Sequence, residues 1–361
     1  MAGSSRCQPS VPRKPRAAWI GFALLVLSAS ACVSSAPSAE RGRDLFARDF
    51  TPAEGLGPLY NATSCVGCHA APSVGGTGAH GLATVVRVGK LSGDGAFDPM
   101  LGHGGPVARA HSVAELGVNC TLNPGVPAGA NLTSVRNAPA LYGDGRIDAI
   151  PDSVILAGAQ SPRPDGIQGR PNLLPDGQVG RFGWKGDTST LRQFVGEAFR
   201  NELGITNPIA PADLVPAGAC GGDMGTPEAD ASIVADVVAY LDNLPAPEPS
   251  SADPALFTSL GCDSCHVARL GEVPLYSDLL LHDMGRALDD GVVQGSATGH
   301  DWRTAPLWGL GQRARYLHDG RAQSLEAAIL AHAGEAEPAV QRFRALSADE
   351  RAALIAFLGT L

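Results

Sequence analysis

Two segments of the chain have the apolar spacing of helices that bury one face. Residues 238–244 (VAYLDNL) parallel residues 355–361 (IAFLGTL). In both, apolar residues recur three or four positions apart, which forms a stripe on one side of a helix. Each repeat closes a longer helical segment that carries such a stripe. The stripe residues are Ile233, Val237, Tyr240 and Leu241 in the first segment and Ala353, Leu354, Phe357 and Leu358 in the second. The pattern predicts two similar helices, each closing one half of the chain.

Polar and proline residues mark the boundaries of these helices. Ser347 and Glu350 have the spacing of a capping box, and Thr226 with Pro227 predicts the N-cap and first position of the earlier helix. Residues 245–254 (PAPEPSSADP) form a proline-rich linker, which favours an extended and semi-rigid chain. We therefore predict an N-terminal domain over residues 38–246 and a C-terminal domain over residues 252–361.

The first 31 residues have the pattern of an export signal. Arg6, Arg13, Lys14 and Arg16 precede an apolar stretch over residues 17–27, and small residues at 29–31 precede Cys32. The stretch resembles a bacterial lipoprotein signal, and cleavage by an ordinary signal peptidase or an uncleaved membrane anchor are the alternatives. We predict a signal peptide over residues 1–31 and a periplasmic protein, with a lipid anchor at Cys32 if the signal is of the lipoprotein type.

Composition limits the fold class and the partners. Gly 45 and Pro 28 make about a fifth of 361 residues, whereas charged residues are 17% and aromatic residues 5%. Such a composition indicates short helices set in long loops, so we predict a mainly α fold. The net charge is -9, and no basic run follows the first sixteen residues. This argues against a nucleic-acid partner.

Four of the eight cysteines lie in two copies of one motif, CVGCH at 65–69 and CDSCH at 262–266. Two thiols three positions apart can add to both vinyl groups of one porphyrin, and the next histidine then lies under the iron. A zinc site would gather its ligands in one place, whereas these motifs lie roughly 200 residues apart. We predict two covalent c-type haems held by Cys65, Cys68, Cys262 and Cys265, with His69 and His266 as proximal ligands.

The remaining cysteines are assigned by elimination. Cys7 lies in the signal and Cys32 at its end, which leaves Cys120 and Cys220 in one exported domain. We predict that these two form a disulfide that closes a long insertion.

A self-comparison extends the repeat beyond the haem motifs. RFGWKGDTSTL at 181–191 aligns without a gap with RYLHDGRAQSL at 315–325. Continuing this frame places Ala198 opposite His332, so one copy has an imidazole where the other has a methyl group. The alternative is that His332 simply lies near the end of an exposed helix.

The CxxCH motifs together with TAPLWGLGQRARYLHDGRAQSLEAAIL at 304–330 resemble the bacterial dihaem cytochrome c peroxidase superfamily. GRFGWKG, ELGITNP and PLYSDLLLHDMG are more similar to its dihaem oxidoreductase branch, also labelled thiol oxidoreductase. The resemblance extends from about residue 40 to the C-terminus. It implies two cytochrome c-like haem domains.

The resemblance also implies an iron ligand in the C-terminal half. The superfamily places the sixth ligand fourteen residues after the histidine of its Tyr-x-His-Asp-Gly segment, which here leads from His318 to His332. Methionine is usual at that place, and a His/His iron should have a lower reduction potential than a His/Met iron. His282 and Met284 are expected to pack near this haem without binding its iron.

The N-terminal haem lacks such a ligand, because Ala198 cannot bind iron. Either another residue supplies one, with His80 ahead of His103 and His111, or the iron is five-coordinate and open to peroxide. The resemblance further implies a catalytic carboxylate after the Ala-Pro phrase. Asp148 matches that position better than Asp144, and Arg136 is a candidate to polarise the leaving oxygen or to bind a haem propionate.

Two classes of function remain. The first is a periplasmic peroxidase that takes electrons from a small donor protein, a cytochrome or a cupredoxin, at the C-terminal haem and reduces peroxide at the N-terminal haem. The second is an electron carrier or haem redox sensor in which both irons are six-coordinate. The difference between Ala198 and His332 favours the enzyme, and Trp184 and Trp302 are candidate electron-transfer bridges.

Overall fold

The computed structural model describes residues 36–78, 83–215, 220, 228–248 and 253–361. The predicted signal, Cys32, His80 and the middle of the linker lie outside these ranges. Within them are nine α-helices: α1 Ala39–Ala47, α2 Asp144–Asp148, α3 Asp152–Ala159, α4 Leu191–Leu203, α5 Ala231–Asp242, α6 Ala255–Ser259, α7 Leu325–Leu330, α8 Glu337–Ala345 and α9 Ala348–Leu358. None of the helices described is long and apolar enough to span a bilayer.

Short strands accompany the helices to a greater extent than the expected mainly α fold implied. They are β1 Leu59–Tyr60, β2 Thr84–Leu91, β3 Phe97–Asp98, β4 Val107–Ala108, β5 His111–Ser112, β6 Leu132–Asn137, β7 Asn172–Leu173, β8 Val179–Gly180, β9 Leu281–Asp283 and β10 Asp301–Arg303. The largest sheet is antiparallel. In it β2 pairs along six residues with β6 and, at separate places, with β3 and β4.

Helices α1 and α5 pack closely although they are far apart in sequence. A Cβ atom on Gly42 would lie 1.8 Å from the backbone oxygen of Asp236, so only glycine permits this approach. The Asp236 carboxylate accepts two hydrogen bonds from the Arg41 guanidinium, at 2.7 and 2.8 Å, and one from the Ser38 backbone N–H at 2.7 Å. The contact ties the beginning of the described chain to the helix before the linker.

The two helices expected from the apolar stripes are present, with one different start. Helix α9 begins after Ser347, whose capping box with Glu350 is formed as predicted. Helix α5 begins at Ala231 with Asp230 as its N-cap. The prediction that Thr226 caps this helix is therefore wrong, and Thr226 itself lies outside the described residues. Asp230 is favoured because its carboxylate accepts hydrogen bonds from two backbone N–H groups of the first turn.

The hydrophobic core has two clusters. One joins α1, α4 and α5 and also includes Leu275, Leu280 and Trp308 from beyond the linker. The other is formed by α6, α8, α9 and nearby loops, with Phe257, Phe343 and Leu354 buried in it. Residues 36–361 form one compact unit. The domain boundary near residue 250 stays a prediction from the sequence.

Cys120 and Cys220 form a disulfide, which confirms the pairing predicted by elimination. The two cysteines are 100 residues apart, so the bond restricts a long loop of the unfolded chain. We expect Cys120→Ser with Cys220→Ser to lower the free energy of unfolding by roughly 2–4 kcal/mol, measured by urea denaturation. Wild-type protein unfolded in urea with a thiol reductant should have the same free energy of unfolding as the variant. An unchanged urea midpoint would contradict the expectation.

Candidate functional site

The first CxxCH motif forms one short turn that positions its histidine. Cys65–Gly67 is a single 3-10 turn, and the backbone N–H of His69 donates to the carbonyl of Cys65 at 3.0 Å. Nδ1 of His69 lies 3.1 Å from the carbonyl oxygen of Gly76. Burial lowers the pKa of His69, so the ring is neutral. In a neutral ring that donates from Nδ1, Nε2 is the nitrogen that could bind a metal.

The second motif repeats this arrangement. Cys262–Ser264 is again one 3-10 turn, and the backbone N–H of His266 donates to the carbonyl of Cys262 at 3.0 Å. Nδ1 of His266 lies 2.9 Å from the carbonyl oxygen of Tyr276. Burial lowers the pKa of His266 to about 4. Both motifs therefore offer a pair of half-buried thiols and a neutral imidazole.

A cavity of about 230 Å³ lies beside the second motif. Cys262, Cys265 and His266 line it together with His332, two residues beyond the end of α7. Nδ1 of His332 lies 2.7 Å from the carbonyl oxygen of Ala328, which leaves Nε2 for a metal. Most of the other lining side chains are apolar, among them Phe257, Leu260, Leu307, Leu325, Ile329 and Phe343.

The donor set and the apolar lining fit a porphyrin with two axial imidazoles. The structure brings His332 to the same cavity as His266, as the self-comparison suggested. Ala198, its counterpart in the alignment, is an exposed residue of α4. The two aligned residues therefore differ in two ways. His332 carries an imidazole and lines a cavity, whereas Ala198 carries a methyl group and is exposed on a helix.

A smaller cavity of about 40 Å³ lies beside the residues that follow β6. Pro139, Tyr142 and Asp144 line it, and the backbone of Pro139 is within hydrogen-bonding range of the His69 ring. Asp144 is only 7% exposed. Burial raises the pKa of its carboxyl to about 8, although Arg303 opposes the shift. Asp144 is thus a buried carboxyl that holds a proton at neutral pH, in the wall of a cavity that Pro139 also lines.

Asp148 has a different environment. Its carboxylate accepts a hydrogen bond from the backbone N–H of Leu191, the first residue of α4, at 2.8 Å. It lines neither cavity. Of the two carboxylates named from the sequence, the structure therefore places Asp144 in a cavity wall and Asp148 at a helix start.

Arg136 also lies away from both cavities. Its guanidinium forms a buried ion pair with Asp290 and lies 4.4 Å from the centre of the Trp302 ring. The Nζ of Lys185 lies 4.2 Å from the same ring, and the ring of His318 stacks on it at 3.7 Å. Arg136 is thus engaged in a charged cluster that supports Trp302, and Trp302 lines the larger cavity.

Two further histidines line the larger cavity. Burial lowers the pKa of His318 to about 4, so its ring is neutral, and this ring stacks on Trp302. His282 lines the larger cavity with Met284, as expected for packing. Its Nε2 lies 3.0 Å from Asp278 and its Nδ1 lies 2.7 Å from Glu335. Burial opposes protonation, yet these hydrogen bonds, together with one to Cys265, raise the pKa of His282 to about 11.

His103 and His111 are exposed and line neither cavity. Nδ1 of His111 lies 2.9 Å from Glu115. His80, the leading candidate for a ligand of the first iron, lies outside the described residues, so its assignment stays a prediction.

The two cavities share one wall. Trp184, Arg303, Ala305 and Arg313 line both of them. Trp184 is fixed there by a hydrogen bond from Nε1 to the carbonyl of Asn137, 2.7 Å long, at the end of β6. The sequence had named Trp184 as a bridge candidate, but the two arginines of this wall were missed. The sequence feature that could have indicated them is their position, because Arg303 comes just before the TAPLWGLG segment and Arg313 shortly after it.

Residues 129–361 match the family described as "Di-haem oxidoreductase, putative peroxidase", a range that contains the second motif and begins after the first. No curated protein sequence matches the chain.

Two solved structures are similar at a low level. Kuenenia stuttgartiensis hydrazine synthase has 14% identity and a TM-score of 0.40, with 98% of this chain and 100% of that chain covered. A MauG-like protein associated with microbial copper homeostasis has 17% identity and a TM-score of 0.43, with 92% and 91% covered. The family match covers well over half of the sequence, so the chain belongs to the di-haem oxidoreductase family.

Proposed function

We propose that the protein is an exported dihaem c-type oxidoreductase that reduces peroxide with electrons from a small donor protein. The observation that carries the proposal is the difference between the two sites. A second imidazole, from His332, lines the same cavity as the second motif, whereas the smaller cavity, whose lining residue Pro139 approaches the His69 ring, has the protonated carboxyl of Asp144 in its wall. An electron carrier would need neither the small cavity nor a buried acid.

The chain supplies the attachment points for two haems. Cys65 and Cys68 would hold one porphyrin and Cys262 and Cys265 the other, with His69 and His266 as proximal ligands. His332 would close the second site. When bound, haem iron supplies the one-electron redox chemistry that amino-acid side chains lack.

Asp144 would move the protons. Peroxide takes up two electrons and two protons to give two waters, and one proton must reach the oxygen that leaves first. A carboxyl with a pKa near neutrality can both give and take that proton. Trp184 stands in the wall shared by the two cavities and is the proposed route for electrons between the sites.

The donor and the location follow from the same proposal. We propose a small cytochrome or cupredoxin as donor, peroxide as substrate and no nucleic-acid partner. The protein would act in the periplasm, with Cys32 as lipid attachment point if the signal is of the lipoprotein type.

Steady-state peroxide consumption with a reduced donor tests the proposal, together with the ferric absorption spectrum. Turnover accompanied by a high-spin band, the mark of an open iron, is expected. Two low-spin irons without turnover would instead favour the electron carrier or redox sensor.

His332→Ala is expected to change the spin state of one iron. The variant removes the imidazole that lines the larger cavity together with His266, while peroxide binding at the first site should persist. Electron paramagnetic resonance measures the change. His103→Ala, which alters an exposed histidine, is the matched control. A spectrum of His332→Ala identical to wild type would show that His332 is not a ligand.

A further inference from the structure

Arg303 and Arg313 stand in the wall shared by the two cavities. All their hydrogen bonds go to backbone carbonyls, of Gly183 and Thr304 for Arg303 and of Pro306 and Trp308 for Arg313. Nε of Arg313 is buried without a hydrogen-bond partner. Carbonyl groups carry no net charge, so these contacts orient the guanidinium groups without neutralising them.

No carboxylate within the described ranges forms an ion pair with either arginine. The groups that act on Arg313 electrostatically are the phenols of Tyr316 and Tyr142. Three carboxyl groups act on Arg303 from a distance: Asp144, Asp187 and Asp278.

These three carboxyl groups are occupied elsewhere or uncharged. Asp187 pairs with Arg87 at 3.6 Å and Asp278 with Arg163 at 2.6 Å. Asp144 holds its proton at neutral pH, because burial raises its pKa to about 8. The wall therefore carries two positive charges that no neighbouring group of the described chain neutralises.

An unpaired charge in a cavity wall that is largely shielded from water raises the free energy of the folded protein unless a ligand neutralises it. Burial lowers the pKa of both arginines, to about 10, which still leaves them charged at neutral pH. A guanidinium matches a carboxylate geometrically, with two parallel N–H···O bonds. The missing partner is thus an anion, and a carboxylate fits best.

We propose that Arg303 and Arg313 bind the propionate carboxylates of the porphyrin that occupies the larger cavity. This rests on the haem assignment made under the proposed function and adds the residues that hold the polar edge of the group. The chemistry needs only a carboxylate, so a free small anion is the other source that the experiment must separate.

The test is the reduction potential of the haem that has two histidine ligands, measured by spectroelectrochemical titration without peroxide. A nearby positive charge favours the reduced iron. Arg313→Gln and Arg303→Gln should therefore each lower the equilibrium constant for reduction about tenfold, which for one electron is about 59 mV. Arg313→Lys keeps the charge and should retain most of the wild-type potential. Arg192→Gln makes the same charge change at an exposed site on α4 that lines neither cavity, and should change nothing.

Two results would overturn the proposal. In the first, both glutamine variants carry two haems and keep the wild-type potential. In the second, millimolar acetate shifts the wild-type potential saturably and the shift disappears in the variants, which would identify a free anion as the ligand. Should Arg313→Gln not fold, Arg303→Gln and Arg313→Lys still decide the matter. Neither result depends on turnover, so a failure here leaves the proposed peroxidase activity standing.

Discussion

Removing the two thiols of one motif should halve the haem content of the protein. Each pair lies on its own short turn beside its own histidine, so Cys65→Ala with Cys68→Ala should abolish one attachment and leave the other. The corresponding change at Cys262 and Cys265 should do the same for the second. A pyridine haemochrome assay of purified protein should fall from about two haems per chain to about one in both variants.

The disulfide provides the matched control for this experiment. Cys120→Ser with Cys220→Ser also removes two cysteines, yet it touches neither motif and should keep two haems per chain. A count unchanged by either alanine pair would refute covalent attachment through the CxxCH motifs.

Asp144→Asn should lower peroxide turnover by roughly a hundredfold or more, the usual effect of losing a general acid-base group. The amide has nearly the same shape as the carboxyl but cannot pass on a proton. Asp148→Asn is the control, because its amide oxygen can still accept the hydrogen bond from Leu191. It should lower stability by less than about 1 kcal/mol and leave turnover close to wild type.

The pH profile adds an independent signature. Burial raises the pKa of Asp144 to about 8, so the carboxyl is protonated below that pH and loses its proton above it. If the protonated form is the active one, kcat/KM should fall as the pH rises through about 8, and Asp144→Asn should lack this step. A larger loss in Asp148→Asn than in Asp144→Asn would reverse the roles of the two residues.

Local signals predicted the two repeated helices, α5 and α9. The capping box at Ser347 determines the start of α9 because its hydrogen bonds form within four residues. Buried Leu354, Phe357 and Leu358 follow the predicted stripe, whereas Ala353 is exposed. The start of α5 was misplaced because the sequence offers two suitable N-caps, Thr226 followed by Pro227 and Asp230. Sequence alone does not rank these two alternatives.

The sheet was not predicted, because its signal was hidden by composition. The β-branched residues at 84–88 favour a strand, but the surrounding glycines and prolines indicate loop. The pairing of β2 with β6 joins residues separated by a long and irregular segment. The register of two strands that are this far apart in sequence depends on tertiary packing and not on the local pattern of residues.

The site was only partly predictable for a related reason. Both CxxCH motifs were recognised from spacing, because attachment of one porphyrin requires two thiols and an imidazole at fixed intervals, whereas His332 was named from the internal repeat and the family resemblance. The choice between Asp144 and Asp148 depends on the N–H of Leu191, a distant group that occupies one of the two carboxylates. No spacing rule records that contact.

The packing of α1 against α5 affects the order in which the chain acquires its structure. Arg41 and Asp236 are 195 residues apart, so the first helix lacks its partner until most of the N-terminal half is available. Contacts of such long range slow folding, because closing the long intervening loop costs conformational entropy before the contact can form. The motif at Cys65 lies between α1 and α5 in sequence, after β1, so it belongs to the loop that the contact of these two helices closes.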